Sequence, residues 1–143
     1  MELKGIEPNN EMVREKLKKA QMNASEIDIV NLHATGTTAG DINEIEGVKH
    51  IFDDCEKTFI NCTKGYIGHA MGAAGALELA GNLPSFEDHK IHSCKKIENL
   101  DPKCEMKNLV NGEPIEKEVN TILNNSFGML GINSVLIIKR FIG

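Results

Sequence analysis

Ile27-Asp28-Ile29-Val30-Asn31-Leu32-His33-Ala34-Thr35-Gly36-Thr37-Thr38 contains the transition on which the fold reading rests. Residues 27–32 form a short, largely apolar run rich in β-branched side chains. It is too short for a helix and suits a buried strand. The run passes directly into a polar turn, 33–38. Just beyond it, Asp41 reads as the cap of a helix that carries Ile42, Ile45, Val48 and Phe52 on one face. The same transition recurs twice. Thr58–Thr63 reads as a strand that ends in Lys64-Gly65-Tyr66-Ile67-Gly68-His69, followed by a helix over 70–83 that Pro84 helps to stop. Val119–Asn124 reads as a strand ending in Ser126-Phe127-Gly128-Met129-Leu130-Gly131.

Pro8-Asn9-Asn10 reads as a turn and cap for a first helix, with Val13, Leu17 and Ala20 at one-face spacing. Ser25-Glu26 closes that unit. Lys90–Cys94 reads as a short strand and residues 98–107 as loop. Val135–Ile138, four consecutive apolar residues, reads as a strand buried on both faces. Strands separated by helices call for right-handed crossovers and a largely parallel sheet, with the last two strands antiparallel. The expected architecture is α/β: a layered αβα domain over residues 1–143 with a mixed five-stranded sheet. Gly72, Ala73, Ala74, Gly75 and Ala76 weaken an exposed helix by about 1 kcal/mol per glycine. They make sense if that helix is buried against a neighbouring backbone. Sites in open α/β sheets form beyond the carboxyl ends of strands, so the three polar turns are expected to converge.

Composition narrows the function classes. The 143 residues are 41% hydrophobic and 26% charged, as in ordinary globular chains, and 16 Lys plus Arg against 21 Asp plus Glu give a net charge of −5. An acidic chain with one Tyr, five Phe and no Trp argues against nucleic acid as a partner. No apolar run is long enough to span a membrane, and Met1-Glu2-Leu3-Lys4 starts no secretory signal. A cytoplasmic location is expected. Four cysteines (Cys55, Cys62, Cys94, Cys104) without a Cys-x-x-Cys pair are expected as free thiols. His89, His92, Cys94 and Cys104 have no standard zinc spacing, and neither metal nor cofactor is expected.

Individually, the motif residues have two readings each. His33 is either a neutral imidazole whose Nε2–H donates to a carbonyl oxygen or a surface histidine in a polar loop. Lys64 and His69 flank Gly65 and Gly68 at the mouth of a helix. There a helix N-terminus keeps a histidine neutral as a donor to an oxyanion, or the segment is a glycine-rich turn with a solvated lysine. The phosphate-loop pattern is absent. Phe127 either gates a pocket or is a core aromatic at a strand end.

Together, the three turns carry a specific likeness. Asn31-Leu32-His33-Ala34-Thr35-Gly36-Thr37-Thr38-Ala39-Gly40-Asp41 resembles the Asn-Ala-His-Gly-Thr-x-Thr-x-x-x-Asp motif of β-ketoacyl-[acyl carrier protein] synthases. Residues 63–75, Thr-Lys-Gly-Tyr-Ile-Gly-His-Ala-Met-Gly-Ala-Ala-Gly, are similar to that family's Thr-Lys-x-x-x-Gly-His-x-x-Gly-Ala-Ala-Gly. Asn125-Ser126-Phe127-Gly128, with Gly131-Ile132-Asn133, is similar to its closing Asn-Ser-Phe-Gly-Phe-Gly-Gly-Thr-Asn. The departures are Ala34 for Gly, Gly65-Tyr66-Ile67 for Ser-Met-Thr, Cys62 for Ser, and Met129-Leu130-Gly131-Ile132 for Phe-Gly-Gly-Thr.

The resemblance implies the C-terminal half of a thiolase-like fold, and with it a set of roles. His33 and His69 would bind a malonyl thioester carbonyl and stabilise the enolate left by loss of CO₂. Lys64 would hold the turn of the second histidine and polarise nearby water. Thr35 and Thr37 would bind substrate, Phe127 and Gly128 would form the gate, and Glu78, nine residues after His69, matches a family acidic position that stands behind the residues touching substrate. The family's nucleophilic cysteine has no counterpart among Cys55, Cys62, Cys94 and Cys104, and Cys62 reads as a buried inert thiol. Two functions are therefore expected to compete. One is a ketosynthase C-terminal half working with a cysteine on a separate or missing N-terminal half. The other is a non-catalytic, chain-length-factor-like or degenerate subunit that binds a partner. Implied partners are acyl carrier protein, acyl and malonyl thioesters, and the N-terminal half or a second copy.

Overall fold

A computed structural model of the chain describes residues 10–128 and 131–143. The elements run α1 (Asn10–Lys19), β1 (Ile29–Leu32), α2 (Thr38–Phe52), β2 (Phe59–Cys62), α3 (Lys64–Ile67), α4 (Ala74–Asn82), α5 (Ser85–Asp88), β3 (Lys90–Ile91), β4 (Ile115–Glu116), β5 (Thr121–Phe127) and β6 (Asn133–Lys139). The turn expected at Pro8-Asn9, and Met129-Leu130 of the third polar turn, lie outside the described residues.

The main sheet has the order β2-β1-β5-β6. Its first three strands are parallel and β6 is antiparallel to β5. Four strands, not five, make this sheet among the described residues. The fifth place, on the far side of β2, is held by residues 108–110. There Ile60 N–H donates to the Asn108 carbonyl (2.9 Å) and Val110 N–H to the Ile60 carbonyl (2.8 Å). This stretch is loop-like because only one bridge, Ile60 to Leu109, forms. The segment expected as the remaining strand contributes only β3, which pairs with β4 in a separate two-stranded sheet.

Alternation along the strands builds two cores. On one face Val30, Leu32, Ile60, Leu123 and Val135 pack with Val13 and Leu17 of α1 and Ile45, Val48 and Phe52 of α2. On the other, Ile29 and Ile122 pack with Phe86, Ile91, Val110 and Val119. Each fully buried aliphatic side chain contributes about 1.5–3 kcal/mol.

Three expectations need correction. β6 is not buried on both faces: Val135 is buried, whereas Leu136 is 48% exposed. The strand lies at the sheet edge, and Leu136 is left half in solvent. The helix over 70–83 is broken into a 3-10 turn (Met71–Ala73) and α4, with Met71 in the left-handed region (φ 51°). Of its small residues, Gly75 fits the close-approach argument, since a Cβ there would meet Ser126 Oγ at 2.8 Å; Gly72 faces open space. Asp41 does not cap α2. It sits in the first turn behind Thr37, and its Oδ1 accepts from Gly36 N–H (3.2 Å), tying down the polar turn instead.

Candidate active site

β1 delivers His33 to the carboxyl edge of the sheet, where the side chain is buried. Its backbone is gripped from α2. Glu44 Oε1 accepts from His33 N–H (2.7 Å) and Oε2 from Ala34 N–H (2.8 Å). Ala34 has φ 36°, the left-handed side of the map, where a Cβ costs about 1–2 kcal/mol. The Glu44 clamp offsets that strain and fixes the direction in which the imidazole leaves the strand. Burial pushes the Glu44 carboxyl up to about 7, against the pull of these amides and of Asn125 Nδ2.

Lys64, the first residue of α3, is buried and forms an ion pair with Glu78 of α4, which is fully buried. Its Nζ also lies 3.2 Å from His33 Nδ1. An ammonium has donors only, so Nδ1 accepts and the His33 proton sits on Nε2. The lysine therefore reaches the first histidine, where the family likeness implied the second. Burial lowers the His33 pKa to about 4, with the Lys64 charge and then His69 adding to the effect. The imidazole that the fold keeps neutral is thus His33, held so by desolvation and a cation, and no long helix N-terminus is required.

His69 is exposed, ahead of the 3-10 turn. Its Nδ1 accepts from Met71 N–H (3.1 Å), which again leaves the proton on Nε2. The two rings stand edge to face with centroids 5.5 Å apart, and the Phe127 ring lies 5.5 Å from His33 on another side. Phe127 belongs to β5, extended beyond the expected strand end, so the aromatic is held by the sheet. Thr35, Thr37 and Gly128 are exposed, with the two threonine hydroxyls 3.2 Å apart; of the three, Thr35 lines the cavity described next. A cavity of about 480 Å³ opens beside this cluster, lined by Lys64, His69, Asp41, Glu44, Lys95 and Asp101 among others.

Two features were absent from the sequence reading. Glu44 is one. The other is a row of asparagines on the α4 side of the sheet: Asn61, Asn31 and Asn124 stand side by side on adjacent strands. Asn31 Nδ2 donates to Asn61 Oδ1 (2.8 Å) and Asn61 Nδ2 to Asn82 Oδ1 of α4 (2.8 Å). Asn82 Nδ2 donates in turn to the Glu78 carbonyl (2.8 Å). The row fixes α4, and with it Glu78, over the strands. Among the described residues no three His, Cys, Asp or Glu side chains are grouped to hold a metal ion, and no helix is long and apolar enough to cross a membrane.

Comparison with known proteins agrees with the motifs. Residues 4–98 match the family described as "Beta-ketoacyl synthase, C-terminal domain". The chain is 36% identical over 125 residues to the chloroplastic 3-oxoacyl-[acyl-carrier-protein] synthase I of Hordeum vulgare, covering 87% of this chain and 27% of that protein. It is 34% identical over 139 residues to 3-oxoacyl-[acyl-carrier-protein] synthase 1 of Haemophilus influenzae, covering 96% of this chain and 34% of that protein. The chain thus spans about a third or less of these relatives. Among solved structures, the ishigamide ketosynthase/chain length factor superposes with a TM-score of 0.82 at 30% identity, over 90% of this chain and 32% of the other. A β-ketoacyl synthase from Burkholderia phymatum STM815 gives 0.83 at 28% identity, over 95% and 34%.

Proposed function

This chain belongs to the β-ketoacyl synthase family through its C-terminal domain, with the thiolase-like α/β fold of its structural neighbours, and from there we propose that it supplies the two-histidine site of a decarboxylative Claisen condensation. The observation that carries the reading is the pair of neighbouring imidazoles. Each Nδ1 is occupied by a donor, Lys64 Nζ or Met71 N–H, and the rings lie 5.5 Å apart beside a cavity. In the proposed reaction the carbonyl oxygen of a malonyl thioester accepts from the Nε2–H groups of His33 and His69. Loss of CO₂ leaves an enolate, and the charge on its oxygen stays on those donors. The enolate carbon then attacks an acyl thioester carbonyl, and a cysteine thiolate leaves. The family's nucleophilic cysteine has no counterpart among Cys55, Cys62, Cys94 and Cys104, so in this reading a further polypeptide segment carries it. Thr35 and Thr37 line the thioester's approach, Phe127 and Gly128 its gate, and Glu78 holds Lys64. Acyl carrier protein delivers both thioesters; one structural neighbour is a ketosynthase in complex with such a carrier.

Preorganised donors aimed at developing charge are worth ~10²–10³ in rate apiece. The test combines the purified chain with the N-terminal part of the Haemophilus influenzae relative, malonyl-[acyl carrier protein] and an acyl thioester. Condensation is expected only in the mixture, falling by ~10²–10³-fold in His33→Ala and in His69→Ala. Condensation by the chain alone, or a mixture indifferent to both substitutions, contradicts the proposal. A second reading, a non-catalytic subunit that shapes a partner's tunnel, has the likeness to the ketosynthase/chain length factor on its side. It predicts binding to the N-terminal part with turnover independent of His33 and His69.

A further inference from the structure

His92 has no part in the proposed condensation and belongs to no metal grouping among the described residues. It follows β3, half-buried, with its ring edge to face against Tyr66 of α3 (centroids 6.0 Å apart, 84° between planes). Its Nε2 lies 3.2 Å from the hydroxyl of Thr63, the residue that leads β2 into Lys64. The proton in this contact belongs to Thr63. Backbone carbonyls only accept, so they fix the orientation of each group that faces them. Asn82 Nδ2 donates to the Glu78 carbonyl (2.8 Å) and to Thr63 Oγ1 (3.3 Å). Asn61 Nδ2 donates to the His92 carbonyl (3.2 Å) and to Asn82 Oδ1 (2.8 Å). Asn31 Nδ2 donates to Asn61 Oδ1 (2.8 Å) and to Thr63 Oγ1 (3.0 Å). Each of the three amides thus uses both of its hydrogens. Thr63 Oγ1 accepts twice, which engages both lone pairs, and its own hydrogen points to His92 Nε2. The far side of the ring agrees. His92 Nδ1 faces the Ser93 carbonyl at 2.9 Å, so Nδ1 carries the ring proton and Nε2 is bare. A Cβ on Gly81 would stand 3.2 Å from the Thr63 methyl, so this side chain sits close against α4.

We propose that His92 is a positioning residue for Lys64: by accepting the Thr63 hydroxyl proton it closes a network that fixes the start of α3 against α4, and with it the approach of Lys64 Nζ to His33 Nδ1. Lys64 is held at both ends. Thr63 sets its backbone, and Glu78, whose carbonyl the same network engages through Asn82, pairs with its ammonium. A ring in the opposite tautomer would turn Nε2–H on a hydroxyl with no free lone pair and open the contact between β2 and α4. Tyr66 braces the arrangement from α3. The Ser93 hydroxyl donates to the Gly112 carbonyl (2.8 Å), so the Tyr66 hydroxyl donates to Ser93 Oγ (3.2 Å), which keeps the phenol ring on His92.

Nitrogen-15 NMR of the folded full-length chain at about pH 8, where an imidazole is neutral, reads the tautomer. His92 is expected with its proton on Nδ1, opposite to His33, whose proton is on Nε2. His92→Gln keeps an acceptor in the place of Nε2 and Thr63→Ser keeps the hydroxyl, whereas His92→Leu and Thr63→Val each remove one partner. The second readout is the His33 titration midpoint, which lies near 4 through burial, the Lys64 charge and His69. It is expected to rise by about 1 in His92→Leu and in Thr63→Val as the ammonium withdraws, and to stay in place in His92→Gln and Thr63→Ser. A histidine that only fills space would lower stability without moving that midpoint. A His92 proton on Nε2 overturns the proposal. So does an unmoved His33 midpoint in a folded His92→Leu or Thr63→Val chain, or a His92→Gln midpoint outside the parent's range. If neither removal variant folds, the tautomer and the two conservative variants decide. All of these readouts are made on the chain without thioester or N-terminal part, so failure of the condensation is distinguishable from failure of the role of His92.

Discussion

Glu44 joins the chemistry of the site to the stability of the fold. Its ordinary carboxyl pKa of 4.5 is pushed up to about 7 by burial, so the folded protein binds that proton more tightly than the unfolded chain. The contribution is full below pH ~4.5 and is lost as pH rises through about 7, a span worth about 3 kcal/mol. Glu44→Gln cannot titrate. The stability of the parent relative to this variant is therefore expected to fall by about 3 kcal/mol between pH 4.5 and 7, read from urea unfolding at a series of pH values. A difference that does not change with pH contradicts the assignment. His33, Lys64, His69 and Phe127 could be read from the sequence because each lies at the end of a strand-like run, in a turn whose residues match a family motif. Glu44 could not, because it sits inside the apolar pattern of Ile42, Ile45, Val48 and Phe52, where an acidic residue reads as a solvated flank. Its one sequence signal is Asp41, three positions earlier and on the same side of the helix. Lys64 was legible as a site residue but not in its contact, since the route of its side chain to His33 depends on how α3 leaves β2.

Elements carried by a clear period survive from sequence to structure: β1, β2 and α2 lie within a few residues of their expected positions. Those that fail do so for local reasons. The run 70–83 mixes glycine and alanine too freely to commit to one helix, and Met71 breaks it with a left-handed residue. The row of Asn31, Asn61 and Asn124 went unread because the three lie far apart in sequence, and only strand register reveals that they are neighbours. At this scale the junction of β2, α3 and the segment beyond β3 is closely packed. Gly65→Ala places a Cβ 2.8 Å from Lys95 Cβ, an atom too near its own backbone to swing away. Overpacking of this kind costs about 1–3 kcal/mol. The expected outcome is a lower urea midpoint at unchanged slope, with altered amide signals at Lys95 and Cys94; an unchanged midpoint would show that the wall is loose.

Across the whole molecule, α1 and α2 cover one side of the sheet, whereas the side bearing α4 keeps large apolar groups in water. Met71 is 72% exposed, Leu77 46%, Leu83 41% and Leu136 48%, and near the C-terminus Phe141 is 90% exposed. Apolar surface of this extent is a partner site or an association liability. The chain by itself is expected to self-associate at about micromolar concentration in sedimentation velocity, with Leu77→Lys shifting it toward monomer; a parent chain that stays monomeric would show that this face needs no cover. The central claim is that residues from three distant stretches build one donor site only when the whole fold is in place. Nitrogen-15 NMR of the histidines in the intact chain tests it most directly. The account predicts that His33 is neutral with its proton on Nε2 at pH 7 and titrates near 4, returning to about 6.5 when the chain is unfolded in urea. A folded-state midpoint near 6.5, or a proton on Nδ1, would contradict it.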